Sequence, residues 1–227
     1  MNSLICFQLL KNIAIGSCLM LVPSVLVHAE SKETNSNSKE KIVFRDDFEP
    51  PGDDKPKDTG AGGSRDGKRC NADEQPIRAL MPRGNFGLTS NAQPNIYLHL
   101  PQTSAKQIVL AIQNEAGTEY ARAFLPIETN NNVASFALPE DKMSLQPGKN
   151  YQWKISVVCG EYLKPGDPIF TGWVQRVEST DTQKQFGFDM SEEQIRALAE
   201  QGYWYDLLDA ISIQNDWQQV LKLGLNK

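Results

Sequence analysis

The residues best suited to phosphate chemistry lie in the glycine-rich stretch GAGGSRDGKRC, where Gly62 is followed after four residues by Gly67-Lys68, close to the spacing of a phosphate-binding loop. A functional loop of that kind needs an apolar strand before it and a Ser or Thr after the lysine to hold magnesium; here Arg69 takes that place and no strand precedes. The stretch therefore reads as a backbone-flexible segment leading to Cys70. A cationic cluster of Arg65, Lys68 and Arg69 remains as an anion site. Histidine is scarce. Outside the first 29 residues only His99 occurs, so a histidine-rich zinc centre is excluded and a Ser-His-Asp triad would have to be built on that one side chain. Its alternation with Ile96, Leu98 and Leu100 puts it beside Tyr97 on the outward face of a strand. Neither a metal nor a cofactor is expected, and no catalytic residue is assigned.

Carboxylates are plentiful but without diagnostic spacing: Asp46-Asp47 and Asp53-Asp54 lack the Asp/Asn-Gly ladder of a calcium loop. A pair for glycoside hydrolysis could be assembled only in three dimensions, from Glu128, Glu140, Glu161 or Asp167. Aromatic residues offer more. Trp173 and the run Tyr203, Trp204, Tyr205 could present rings that stack on sugars or on a partner protein, with Trp173, Tyr203 and Tyr205 as the ligand-binding candidates. The helical phase of Trp204 directs it inward instead.

These groups are carried by elements that the rest of the chain defines. Lys11, the apolar run from Ile13 to Val27 and the ending Val27-His28-Ala29 form an export signal, residues 1–29, cleaved after Ala29; the run is too short for a membrane span and Pro23 interrupts it. Cleavage places the mature protein in the periplasm or outside the cell, with no membrane span left. The full chain of 227 residues carries a net charge of −5, and loss of Lys11 takes it to −6, which disfavours nucleic acid as a partner. A protein of the envelope or a glycan is the expected partner. Cys70 and Cys159 are the only cysteines after cleavage, and in an oxidising compartment they are expected to be paired, within one chain or between two.

Residues 30–75 are polar and rich in Ser, Asn, Asp, Pro and Gly, a leader that cannot bury enough apolar surface to fold alone. From 76 to 180 short alternating runs separated by Gly, Pro and Asn predict seven strands: 77–81, 95–100, 107–113, 119–125, 133–138, 151–159 and 169–177. In the sixth, Tyr151, Trp153, Ile155, Val157 and Cys159 alternate with Gln152, Lys154, Ser156 and Val158. It follows LQPGKNY, which has the form of a tyrosine corner, so the expected fold is an immunoglobulin or fibronectin III-like β-sandwich. Residues 189–225 form a short helical tail. It opens on the capping box Ser191 to Gln194, stops at Gly202, restarts with Trp204, Leu207, Leu208 and Ile211 at helical spacing, and adds a third short helix near Asp216.

The segments PPGDDKPKDTGAGGSRDGKRC, GLTSNAQPNIYLHLP, YQWKISVVC, GWVQRV and GYWYDLL, in this order and spacing, resemble cyanobacterial secreted proteins that share the domain of unknown function number nine hundred and twenty-eight. The resemblance runs from about Pro50 to the third helix. It implies an exported protein without a known activity, and it transfers no catalytic residue; Cys70 and Cys159 fall on cysteines of that pattern, which favours their pairing. Three functions follow as expectations: a non-catalytic binding or scaffold module of the envelope, a secreted hydrolase of wall or polysaccharide, or a carbohydrate-binding module.

Overall fold

The computed structural model describes residues 69–178, 190–215 and 217–222. Among them eight strands and three helices follow in order: β1 (Arg78–Ala79), β2 (Phe86–Thr89), β3 (Ile96–His99), β4 (Gln107–Asn114), β5 (Glu119–Pro126), β6 (Val133–Phe136), β7 (Asn150–Val158), β8 (Ile169–Arg176), α1 (Glu192–Glu200), α2 (Trp204–Gln214) and α3 (Trp217–Lys222). The strands make two sheets, one of three in the order β1-β3-β6 and one of five in the order β2-β8-β7-β4-β5. This is the expected β-sandwich with its helical tail. All seven predicted strands are present.

The two-residue periodicity of β7 explains the core. Tyr151, Trp153, Ile155 and Val157 are each at most 3% exposed, and they meet Ile108, Leu110 and Ile112 of β4 and Leu98 of β3 in one cluster. The β4–β5 hairpin turns where Gly117 takes φ 78°, closed by its N–H bond to the Asn114 carbonyl, as the Asn114 to Gly117 sequence predicts. The corner before β7 forms as well. The Tyr151 hydroxyl accepts a hydrogen bond from the backbone N–H of Gln146 at 3.2 Å, within the LQPGKNY segment.

The strand that periodicity did not reveal is β2. The chain leaves the three-stranded sheet after β1, reverses hand at Asn85 with φ 52°, and joins the five-stranded sheet parallel to β8, in a sheet whose other pairings are antiparallel. Gly87 lies within its four residues, and a glycine there argues against a strand on propensity. The reason for it is tertiary: a Cβ at position 87 would lie 2.6 Å from Cβ of Trp204. Gly172 of β8 has the same role against the indole of Trp153, 2.2 Å from the nearest ring atom. The two glycines are where α2 and the Trp153 ring are admitted to the core.

The tail is held by that admission. Ser191 and Gln194 exchange both capping-box hydrogen bonds, α1 ends ahead of Gly202 at φ 80°, and Trp204, Leu207, Leu208 and Ile211 all turn inward with at most 2% exposure. The backbone joins in, with the Leu88 N–H donating to the Gly202 carbonyl at 2.9 Å. The disulfide links Cys70 to Cys159 with Cα atoms 5.2 Å apart, fastening the start of the described chain to the end of β7. Around it Glu74 gathers donors: the N–H of Cys70, the Asn71 side chain, and both the N–H and hydroxyl of Ser104. Burial alone would raise the Glu74 pKa, but these bonds outweigh it and hold the carboxyl below its usual range.

Candidate functional site

Each residue singled out from the sequence can be placed. Arg65, Lys68, Asp46-Asp47 and Asp53-Asp54 lie outside the described residues. The Arg69 guanidinium donates to the carbonyls of Ala72 and Glu74, at 3.2 and 3.3 Å, so it serves the turn that carries Cys70. The face on which His99 and Tyr97 were expected to be exposed is covered by the tail: Tyr97 is buried against Trp217 and Asp209, and His99 is half-buried; burial, then the charge of Arg78, lowers its pKa, and its Nδ1 is buried without a hydrogen-bond partner among the described residues.

The three aromatic ligand candidates are corrected by their placement. Trp173, Tyr203 and Tyr205 are 6%, 8% and 1% exposed, so none offers a ring to a ligand. Tyr205 is instead the bolt of the tail. Its hydroxyl donates to the Trp173 carbonyl at 2.9 Å and accepts from the Trp153 indole at 2.7 Å, while Trp204 donates to the Leu80 carbonyl at 2.7 Å. Three adjacent aromatics can all be buried because the chain enters α2 between the sandwich and α1 rather than along one surface. That arrangement is long-range, and no local pattern encodes it.

Two acids that the sequence did not mark stand on α2, Asp206 buried and Asp209 half-buried. Asp206 accepts from the N–H of Ser90 at 3.1 Å and from its hydroxyl, and Asp209 accepts from Tyr97 at 2.7 Å, Asn95 at 3.0 Å and Asn91 at 3.3 Å. Burial raises both pKa values, with Asp209 pushed up to about 6 despite its three donors and with the Asp206 charge adding to the rise. Raised acids of this kind are candidates for general acid catalysis. Here their oxygens are spent on donors that fix α2 to the segment Ser90–Tyr97, so the pair is a clamp. The spacing Asp206 to Asp209 is one helical turn, the signal that would have found them.

The clamp has a pH signature. Because the folded Asp209 pKa stands above its unfolded value, the folded state binds more protons, and stability falls as pH rises from about 4 through 6 and is flat above. Asp209→Asn cannot titrate. Relative to that variant, the wild type should lose on the order of 2 to 3 kcal/mol between pH 4 and pH 7, read by urea unfolding at both pH values. A difference that does not change with pH would show that Asp209 titrates normally.

The open concave feature adjoins this clamp. A cleft of about 570 Å³ lies where β5 and β6 form the free edges of the two sheets, floored by Leu125, Val133 and Phe136 and closed on one side by Tyr97 and Trp217, whose rings are 5.3 Å apart. Its rim is polar. Glu128, Thr129, Asn130 and Ser135 are exposed and, among the described residues, their side chains make no hydrogen bond, Glu128 is the lining carboxylate and no basic side chain lines the cleft. Of the other acids proposed for hydrolysis, Glu140 and Glu161 are exposed elsewhere and Asp167 caps the β7–β8 loop by accepting from the N–H of Lys164 at 2.8 Å. Among the described residues no three His, Cys, Asp or Glu side chains gather as a metal site requires, and no helix is long and apolar enough to cross a membrane.

Residues 60–226 match the family described as Domain of Unknown Function (DUF928). The chain belongs to this family. The match begins within the glycine-rich stretch and takes in the disulfide, both sheets and the tail, so the DUF928 unit comprises the sandwich and the helices together. No curated protein matches the chain.

Proposed function

We propose that this DUF928 protein is an exported, non-catalytic binding or scaffold module of the cell envelope, and that the cleft between β5, β6 and α3 receives its ligand. The observation that carries the reading is the contrast between the two sets of polar groups. Those around α2 are consumed in holding the tail, whereas the cleft rim keeps four side chains without a hydrogen bond among the described residues above an apolar floor, the usual composition of a binding site. The Cys70–Cys159 bridge and the N-terminal signal support the export part of the proposal. A hydrolase is disfavoured, since among the described residues a single carboxylate lines the cleft and the acids with raised pKa are committed elsewhere. A sugar platform built on Trp173, Tyr203 and Tyr205 loses its support with their burial.

Filling the cleft tests the reading. Ser135 is exposed on β6, and Ser135→Trp adds a ring over the cleft without touching the core. The mature protein should capture an envelope component that the variant captures at least about tenfold less, equal to the loss of about 1.4 kcal/mol of binding. Unchanged capture by a variant with an unchanged melting temperature would refute the cleft as the site.

A further inference from the structure

The wall of the cleft is β6, a strand with one side unpaired among the described residues, and its backbone hydrogen-bonding capacity can be counted. Leu100 donates to the Asn132 carbonyl at 2.7 Å, and the register pairs His99 with Val133 and Leu98 with Ala134. In an antiparallel ladder the bonding direction alternates, so Asn132, Ala134 and Phe136 direct their N–H and C=O groups to β3, and Val133 and Ser135 direct theirs away from it. On the far side of β3 the same alternation holds, since the Tyr97 carbonyl accepts from the Leu80 N–H at 2.9 Å. The outward groups of Val133 are used, exchanged with Asn130 at 2.8 and 2.9 Å. Those of Ser135 are left at the open edge, inside the cleft.

We infer that the cleft is a strand-addition site. An extended polypeptide segment of a partner protein pairs with β6 at Ser135 and sets its alternate apolar side chains onto Val133 and the Tyr97–Trp217 pair, which share the face of the β3–β6 pair that carries Ser135. This rests on the cleft being the binding site of the module, and it names the class of partner. Three features select an extended peptide over other ligands. A free N–H and C=O on one residue of an edge strand are matched by one residue of an incoming strand. The floor is apolar, while the rim is polar at the level where the intervening side chains of a strand would emerge. Glu128, with no cation beside it among the described lining residues, favours a Lys or Arg at one of those intervening positions.

The edge at Ser135 is also short. The Asn130 to Val133 turn consumes one end of β6, so the free stretch accepts a partner strand without inviting open-ended stacking of copies. That limits the site to one occupant.

The test uses the mature, oxidised chain and nine-residue peptides in which Val alternates with Lys, Ser or Glu, read by isothermal titration and by backbone NMR shifts. The Val-Lys peptide is expected to bind and to shift Ser135 and its neighbours, and the Val-Glu peptide to bind about tenfold more weakly or not at all. Ser135→Pro deletes the edge N–H and should lower affinity about tenfold or more, whereas Ser135→Ala keeps the backbone and should leave it within about twofold. Should Ser135→Pro fold poorly, N-methylation of alternate peptide residues makes the same deletion from the other side and should abolish binding by the wild type. Absence of binding by every peptide overturns the inference. So does binding that N-methylation leaves unchanged, or wall oligosaccharides that bind the cleft and are lost in Ser135→Ala. If Ser135→Trp still removes envelope capture in those cases, the binding-module reading stands and only its peptide ligand is wrong.

Discussion

Replacing both Cys70 and Cys159 by Ser is expected to lower the unfolding free energy by roughly 4 to 5 kcal/mol, the loop-closure entropy of a bridge spanning many tens of residues. The bridge joins positions 89 apart in sequence, so in the reduced unfolded chain a long segment regains its freedom. What remains to hold the segment before β1 is the Glu74 network to Ser104 and Asn71, and those bonds are made by the same turn the bridge positions. Guanidinium titration of the oxidised wild type and the double variant gives the difference directly. Thiol titration of the unfolded, unreduced chain lacking residues 1–29, and with them Cys6 and Cys18, supplies the companion result, no reactive thiol. Two free thiols together with a loss under about 1 kcal/mol would rule the bridge out.

Tyr151→Ala should cost about 3 to 5 kcal/mol, since it removes a ring that is 3% exposed and leaves a cavity beside β8. Tyr151→Phe separates the two contributions. It retains the ring, its edge contact with Tyr120 at 6.0 Å between centroids, and the packing on Val174, and it deletes only the acceptor of the Gln146 N–H. The expected cost is about 0.5 to 1.5 kcal/mol, because that N–H loses its partner. Both values come from denaturation midpoints at constant slope. If neither substitution moves the midpoint, Tyr151 does not bear on the core and the register of β7 is wrong.

Most of the scaffold was legible in the sequence because it is written at short range. A strand with one face buried must alternate, as Tyr151 to Val157 does, and a tight hairpin must turn on a residue that tolerates positive φ, as Gly117 does. The helix start at Ser191 and the stop at Gly202 follow from orphan N–H groups and from the missing Cβ of glycine, and the restart at Trp204 from the apolar spacing to Leu207, Leu208 and Ile211. The one strand that escaped, β2, is a case where local preference and tertiary need oppose each other. Its Gly87 weakens the strand in isolation and is required once Trp204 packs on it.

The site was far less legible. Trp173, Tyr203 and Tyr205 have the composition of a ligand platform, and composition cannot tell a ring that faces solvent from one covered by a helix that arrives later in the chain. Asp206 and Asp209 look like surface acids of an amphipathic helix until Ser90, Asn91, Asn95 and Tyr97 are brought against them from more than 100 residues away. The sequence by itself determined the sandwich and the helical tail, since each depends on residues within a turn or a strand of one another. Tertiary structure decided which aromatics are core, which acids are clamps, and that the free edges of β5 and β6 enclose a cleft. Those are properties of surfaces that meet only when the whole chain has folded, because burial and hydrogen-bond saturation are set by neighbours that sequence distance does not predict.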